Sequence, residues 1–179
     1  VPGAGIVSLV ENAASATNKG AEFEATIRPL AGLTLGGFVS YLDAKSDVTV
    51  PGTAAVAGRQ TAFQPKWKYG INGQYVARAG QAGELALSAD FSYTSEALTN
   101  ETSAALLTSY PGYGLLNLRA ELREIGGTGL DLAVFASNVT NKTYILGGLP
   151  LGSPLGFESS IYVEPRMYGL SVKYRFGAR

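Results

Sequence analysis

Pro165-Arg-Met-Tyr-Gly-Leu-Ser-Val-Lys-Tyr-Arg-Phe176 sorts by parity into two kinds of surface. Tyr168, Leu170, Val172, Tyr174 and Phe176 share one set of alternate positions; Met167, Gly169, Ser171, Lys173 and Arg175 share the other. A strand sends successive side chains to opposite faces, so this stretch is a ribbon with one apolar face, aromatic at both ends, and one face bearing two cations. A soluble protein buries such an apolar face in a core. A membrane-spanning barrel turns it to lipid and keeps the polar face in a wet lumen.

The same period runs upstream. Ala21, Phe23, Ala25 and Ile27 alternate with Glu22, Glu24, Thr26 and Arg28, and residues 6–27 read as one long strand or two short pieces. Pro29 to Gly32 is a turn. From Leu33 to about Ser46, Leu33, Leu35, Val39 and Tyr41 share a face, with Phe38 and Leu42 out of step on the other. Trp67, Tyr69, Ile71 and Tyr75 alternate with Lys66, Lys68, Asn72 and Gln74. Leu85, Leu87, Ala89, Phe91 and Tyr93 oppose Ser88, Asp90, Ser92 and Thr94. Leu116, Leu118, Ala120 and Leu122 oppose Asn117, Arg119, Glu121 and Arg123. Leu130, Leu132, Val134 and Ala136 oppose Asp131 and Ser137, with Phe135 a misfit. This predicts an all-β chain of about seven strands, with no competing helical pattern.

The connections decide between core and lipid. Short turns (29–32, 78–83, 126–129) alternate with long loops (about 47–62, 96–111 and 147–164). Strand runs of about 12 residues exceed the usual 5–6 of globular sheets and suffice for the 9–11 that cross a bilayer at a tilt. Short turns on one side and long loops on the other point to an antiparallel up-and-down transmembrane β-barrel rather than a soluble sandwich. With the long loops outside, the last strand runs inward and the C-terminus is periplasmic. Seven open strands would leave two bare edges, so the chain is read as part of a larger barrel, or else as a segment in a stacked, fibrous state.

Composition narrows the function. Charged residues are 16% of the chain, below the roughly 25% of soluble domains. The 14 basic and 14 acidic residues cancel, so nothing here attracts nucleic acid. With no Cys and no His, disulfides, thiolate metal sites and histidine-based hydrolysis are excluded for this chain. No catalytic set, metal set or cofactor is expected, and the chain is read as a non-enzyme. It opens on Val1 and is read as a piece of a longer product.

Several segments, in order, resemble the TonB-dependent outer-membrane receptors. Asn18-Lys-Gly-Ala-Glu-Phe-Glu24, with Pro29 and Gly32-Leu-Thr-Leu35, is similar to that family's "K-G-x-E-x-E…P…G-L-x-L". Tyr41-Leu-Asp-Ala-Lys45, Tyr113-Gly-Leu-Leu-Asn-Leu-Arg119, Phe135-Ala-Ser-Asn-Val-Thr-Asn-Lys-Thr-Tyr144 and the closing Pro165–Phe176 stretch match further motifs. The resemblance implies a barrel of 22 strands around an N-terminal plug, of which residues 1–179 are about seven C-terminal strands without the plug. It implies an active importer of a scarce nutrient, usually a ferric siderophore, in the outer membrane of a Gram-negative bacterium. Implied partners are the lipid bilayer with its lipopolysaccharide, the plug, the TonB complex acting through the missing N-terminal region, the outer-membrane insertion machinery, and a small iron chelate. A passive porin-like channel or autotransporter-type barrel is the alternative; a soluble β-sandwich module is a more distant one.

Candidate residues fall into three sets. The resemblance makes Tyr168, Leu170, Val172, Tyr174 and Phe176 an insertion signal. Asp90, Arg119, Glu121, Arg123, Lys173 and Arg175 face the predicted lumen, where ligand or plug binding competes with simple solvation and cross-strand ion pairing, and alternation favours the latter. Trp67, Tyr69 and Tyr93, with Tyr168, sit near outer strand ends, and Tyr75, with Tyr174 and Phe176, near inner ends, as aromatic girdles. Asn138-Val-Thr140 and Asn141-Lys-Thr143 fit a glycosylation pattern that is irrelevant in a bacterial outer membrane.

Overall fold

In the computed structural model, which describes residues 15–48, 56–99, 109–149, 156–157 and 159–177, seven long strands form one antiparallel sheet. They are β1 (Ser15–Leu30), β2 (Leu33–Val48), β4 (Trp67–Arg78), β5 (Glu84–Thr94), β8 (Tyr113–Arg123), β9 (Leu130–Ser137) and β12 (Met167–Tyr174), paired in that order. Each pairs with its neighbour in the chain, the topology of an up-and-down barrel wall, and β1 and β12 form the two ends of the sheet. The expected extension of the first strand back to residue 6 lies outside the described residues.

The long connections carry structure that periodicity does not predict. β3 (Val56–Gln60) pairs with the far end of β2. β6 (Ala97–Leu98) pairs with β7 (Ser109–Tyr110), and β10 (Ile145–Leu149) with β11 (Ser159–Tyr162). Segments of two to five residues are too short to show a period, which is why these regions read as loops. The first turn is also tighter than expected. β1 continues through Pro29 to Leu30, with a register slip between Ile27 and Leu30, leaving Ala31 and Gly32 to reverse the chain. Proline is tolerated there because the ladder with β2 is already broken at the register slip. Gly32 takes φ 80°, a left-handed value that favours glycine.

Cross-strand partners lie on one face, so the register defines the faces of the whole sheet. One line of partners runs Tyr168, Ala136, Leu118, Ala89, Gly73, Leu35, Ile27. The next but one runs Leu170, Val134, Ala120, Leu87, Tyr75, Leu33. The line between them runs Gly169, Phe135, Arg119, Ser88, Gln74, Thr34. All seven apolar half-strands therefore merge into one continuous apolar surface. Tyr168 lies at the long-connection end of β12, whereas Ile27 lies near the short turn of β1. That stagger means the strands tilt, as wall strands of a closed barrel do.

The burial pattern argues against a sandwich. The buried hydrophobic residues among those described are Ala44, Ala86 and Ala133, all small. Phe23, Ile71, Leu170 and Val172 are each more than half exposed on the apolar face. A soluble module of this size buries large side chains between layers, and exposing this many in water costs about 25 cal/mol per Å² of apolar area.

Candidate functional site

The polar face is held together by cross-strand charge pairs near the short-turn end. Arg123 bridges Glu84 on β5 and Glu121 on its own strand, each at 3.2 Å, and Arg119 reaches the same Glu121 at 3.5 Å. Arg175 grips Asp131 bidentately, Nη1 at 2.8 Å and Nη2 at 3.0 Å, and stands 3.6 Å from Glu124. The Glu124 backbone N–H donates to Asp131 Oδ1 at 2.9 Å, tying the β8–β9 turn to the same carboxylate. Lys173 is the register partner of Asp131. Of the expected lumen set, Arg119, Glu121 and Arg123 thus come together, Lys173 and Arg175 gather on Asp131, and Asp90 stands apart. Glu84, Glu124 and Asp131 are the members the sequence reading did not single out.

Asp90 belongs to a second arrangement, nearer the long-connection end. Asn117 Nδ2 donates to Asp90 Oδ2 at 2.8 Å, and Asn117 Oδ1 accepts from the Asn138 backbone N–H at 2.9 Å. Asn138 is buried, 6% exposed, and left-handed at φ 48°. Its Nδ2 donates to the carbonyls of Lys142 at 2.8 Å and Glu164 at 3.3 Å, and its Oδ1 accepts from Lys142 N–H at 2.8 Å. Asn141, also left-handed at φ 52°, accepts from Arg166 N–H at 3.2 Å. These asparagines build the corner that carries the β10–β11 hairpin; Asn is among the few side chains that take this conformation cheaply. Asn138→Ala should lower stability by roughly 3 kcal/mol, from three side-chain hydrogen bonds at about 1 kcal/mol each. Asn138→Gly, which keeps the backbone shape, should cost less. Urea unfolding midpoints in lipid vesicles check the order.

Beside this corner is a hollow of about 480 Å³ with Asn117, Asn138, Tyr144, Tyr162 and Glu164 in its lining. Tyr144 stacks on Tyr113 with ring centroids 3.8 Å apart, and burial pushes the Tyr144 hydroxyl above its ordinary pKa.

The two aromatics out of step in the alternation have a common explanation. Phe38 lies over Gly70 and Phe135 over Gly169, each glycine being its direct cross-strand partner. A Cβ on Gly70 would stand 2.7 Å from the Phe38 ring, and one on Gly169 2.1 Å from the Phe135 ring. The ring covers backbone that the glycine leaves bare. A misplaced Phe whose cross-strand partner is Gly was the available sequence signal, but it needs the register to be seen.

On the apolar face, Tyr41 packs on Trp67 at 4.7 Å and Tyr69 stacks on Tyr93 at 4.9 Å, near the long-connection end. Beyond Tyr41 this face turns charged, with Asp43 and Lys45 paired at 2.9 Å. Tyr75 lies toward the short-turn end, as do Tyr174 and Phe176, which meet edge to face at 4.6 Å. Among the described residues no group of three or more Asp or Glu is placed to hold a metal ion.

Residues 1–141 match the family model described as TonB dependent receptor-like, beta-barrel. The chain belongs to this family. It is a family of transport receptors rather than of enzymes. The wall also superposes on solved receptors. The siderophore receptor PiuA from Acinetobacter baumannii gives a TM-score of 0.68 at 15% identity, over 88% of this chain and 21% of that one. The ferric yersiniabactin uptake receptor FyuA from Yersinia pestis gives 0.72 at 17%, over 90% and 24%. The ferric preacinetobactin receptor BauA, also from Acinetobacter baumannii, gives 0.69 at 24%, over 88% and 22%. At these identities the likeness is one of fold, and this TonB-dependent receptor chain spans about a fifth to a quarter of those proteins' length. No curated protein sequence matches it. The seven strands are therefore a segment of a larger transmembrane barrel, as the alternation of faces and connections predicts.

Proposed function

We propose that this chain is the C-terminal part of the barrel of an outer-membrane receptor that imports an iron chelate, a ferric siderophore, with energy from TonB, in a Gram-negative bacterium. The observation that carries the reading is the two-faced seven-strand wall together with the family match over residues 1–141. Solved receptors of similar fold are described as a siderophore receptor, a ferric yersiniabactin uptake receptor and a ferric preacinetobactin receptor, and another is the ferripyoverdine receptor of the outer membrane of Pseudomonas aeruginosa, bound to ferripyoverdine.

In this reading the apolar face meets lipid. From Leu33 to Tyr41 the β2 band spans eight residue steps, about 26 Å along the strand at ~3.3 Å per residue and about 20 Å across the membrane after tilting. Trp67, Tyr69 and Tyr93 form the outer girdle and Tyr75 the inner one. Asp90, Arg119, Glu121, Arg123, Lys173 and Arg175 line the lumen, where paired charges keep the wall wet and nearly neutral toward the plug that the rest of the receptor supplies. The long connections are extracellular, which puts the ligand's entry beside Tyr144 and Tyr162 and the end of β12 in the periplasm. Tyr168, Leu170, Val172, Tyr174 and Phe176 present the alternating apolar edge that the outer-membrane insertion machinery takes up.

The full receptor gene is deleted and restored in its host, and uptake of iron-55 chelated by candidate siderophores is followed. Uptake should be lost on deletion, return with the gene, and vanish when TonB is removed. Uptake that persists without TonB would favour the passive channel.

A further inference from the structure

Carboxylates of the polar face are matched at one end of the wall and unmatched at the other. Toward the short turns, Glu84, Glu121, Glu124 and Asp131 each have an arginine within 3.6 Å. Toward the long connections, Asp90 and Glu164 stand in no ion pair among the described residues. Asp90 is held instead by the neutral amide of Asn117, at 2.8 Å.

Both unmatched acids bear on the hollow of about 480 Å³ beside the Asn138 corner. Glu164 is in its lining, and Asp90 lies one hydrogen bond behind it, through Asn117. Among the described lining residues Glu164 alone carries a charge, and it is exposed to solvent. Leu115, Leu146, Val163 and Pro165 give the hollow apolar walls, while Tyr144 and Tyr162 give it rings. Tyr162 is 60% exposed. The Tyr144 hydroxyl is raised above its ordinary pKa by burial first, then by the charges of Tyr113 and Glu164, so the Glu164 carboxylate is a neighbour of that ring. The nearby cations are turned elsewhere. Lys142 joins the corner through its backbone carbonyl and N–H, and Arg166 stands over the Tyr168 ring, 5.7 Å from its centre; neither lines the hollow.

A carboxylate without a counter-ion beside aromatic rings attracts a cation twice, by charge-assisted hydrogen bonds and by the negative faces of the rings. An anion meets nothing there to neutralise it. We infer that this hollow selects an iron chelate bearing an ammonium or guanidinium arm, which Glu164 pairs with while Tyr144 and Tyr162 pack along its carbon stem. The inference rests on the iron-chelate reading above and narrows it to a charge class of ligand. The volume suits one arm of the ligand, leaving the metal-binding part to the lumen and the rest of the receptor.

The test uses the full-length receptor, purified in detergent, and two probes that differ only in the arm. One is the ferric complex of desferrioxamine B, a trihydroxamate with a terminal ammonium; the other is the same complex with that amine acetylated. Calorimetric titration should show the ammonium form binding roughly tenfold more tightly, the scale of one charge-assisted contact. Glu164→Gln should bring the two affinities together at the level of the acetylated form. Glu164→Asp, which keeps the charge, should retain part of the preference, and Tyr162→Leu should reduce it. Heat-modifiable gel mobility checks that each variant is folded. Equal affinities in the wild type, tighter binding of the acetylated form, binding of neither probe, or a preference that survives Glu164→Gln overturns the site. TonB-dependent uptake of an uncharged or anionic ferric siderophore would overturn the charge selection while leaving the import function standing, and uptake without TonB would overturn that function whatever the two probes show.

Discussion

Gly83→Ala is expected to cripple assembly of the barrel, while Gly80→Ala, three residues earlier in the same turn, leaves it near normal. Both glycines have positive φ, 61° at Gly80 and 120° at Gly83. A Cβ at Gly80 meets nothing within 4 Å; one at Gly83 would stand 2.1 Å from the Arg123 carbonyl oxygen, backbone of the neighbouring strand. Alanine at Gly80 pays only the left-handed penalty, about 1 kcal/mol. At Gly83, φ 120° and ψ −144° belong to a region that is essentially glycine's alone, costing about 3 kcal/mol at the upper end, and the carbonyl must also move. That carbonyl belongs to the residue whose side chain pairs with Glu84 and Glu121, so the damage spreads to the ion network. Outer-membrane abundance of the full receptor and its urea midpoint in vesicles measure the difference. Equal behaviour of the two variants would show that the β4–β5 and β8–β9 turns are not packed as described.

The second large effect separates two adjacent residues. Leu170→Arg should destabilise the folded barrel by about 2–4 kcal/mol, the cost of a cation on the lipid face at mid-membrane. Ser171→Arg should change stability by only a few tenths of that, because its side chain enters water on the polar face. Leu170 is 69% exposed on the apolar face, so a soluble protein would carry an arginine there at almost no cost. The pair is read by equilibrium unfolding from vesicles of defined thickness. A small effect at Leu170 would remove lipid from that face.

All seven wall strands were legible as period-two runs, because lipid on one side and water on the other impose the strictest alternation a strand experiences. The short pairs β3, β6–β7 and β10–β11 were not, since two to five residues cannot display a period. Long-range pairing was equally hidden. Arg175 finds Asp131 forty-four positions away only because the turn at 124–129 and the register of β12 bring them abreast. Phe38 and Phe135 looked like errors in the pattern until the register set each over a glycine. Asn138 and Asn141 matched a modification motif, while their actual work is backbone geometry. Candidate lumen residues could be named by parity, but which would neutralise one another depends on register.

This chain contains no cysteine, so in a full receptor cleared of any cysteine elsewhere, single cysteines report its faces one residue at a time. The most direct measurement places a spin label at each position from Met167 to Tyr174 in the full receptor, reconstituted in bilayers. Collisions with oxygen, which concentrates in lipid, are compared with those of a water-soluble nickel chelate. Oxygen should dominate at Tyr168, Leu170, Val172 and Tyr174, and the nickel chelate at Gly169, Ser171 and Lys173, in strict alternation. Labels that respond alike at successive positions, or that are shielded from both reagents along the apolar set, would contradict a barrel wall and point to a buried soluble strand.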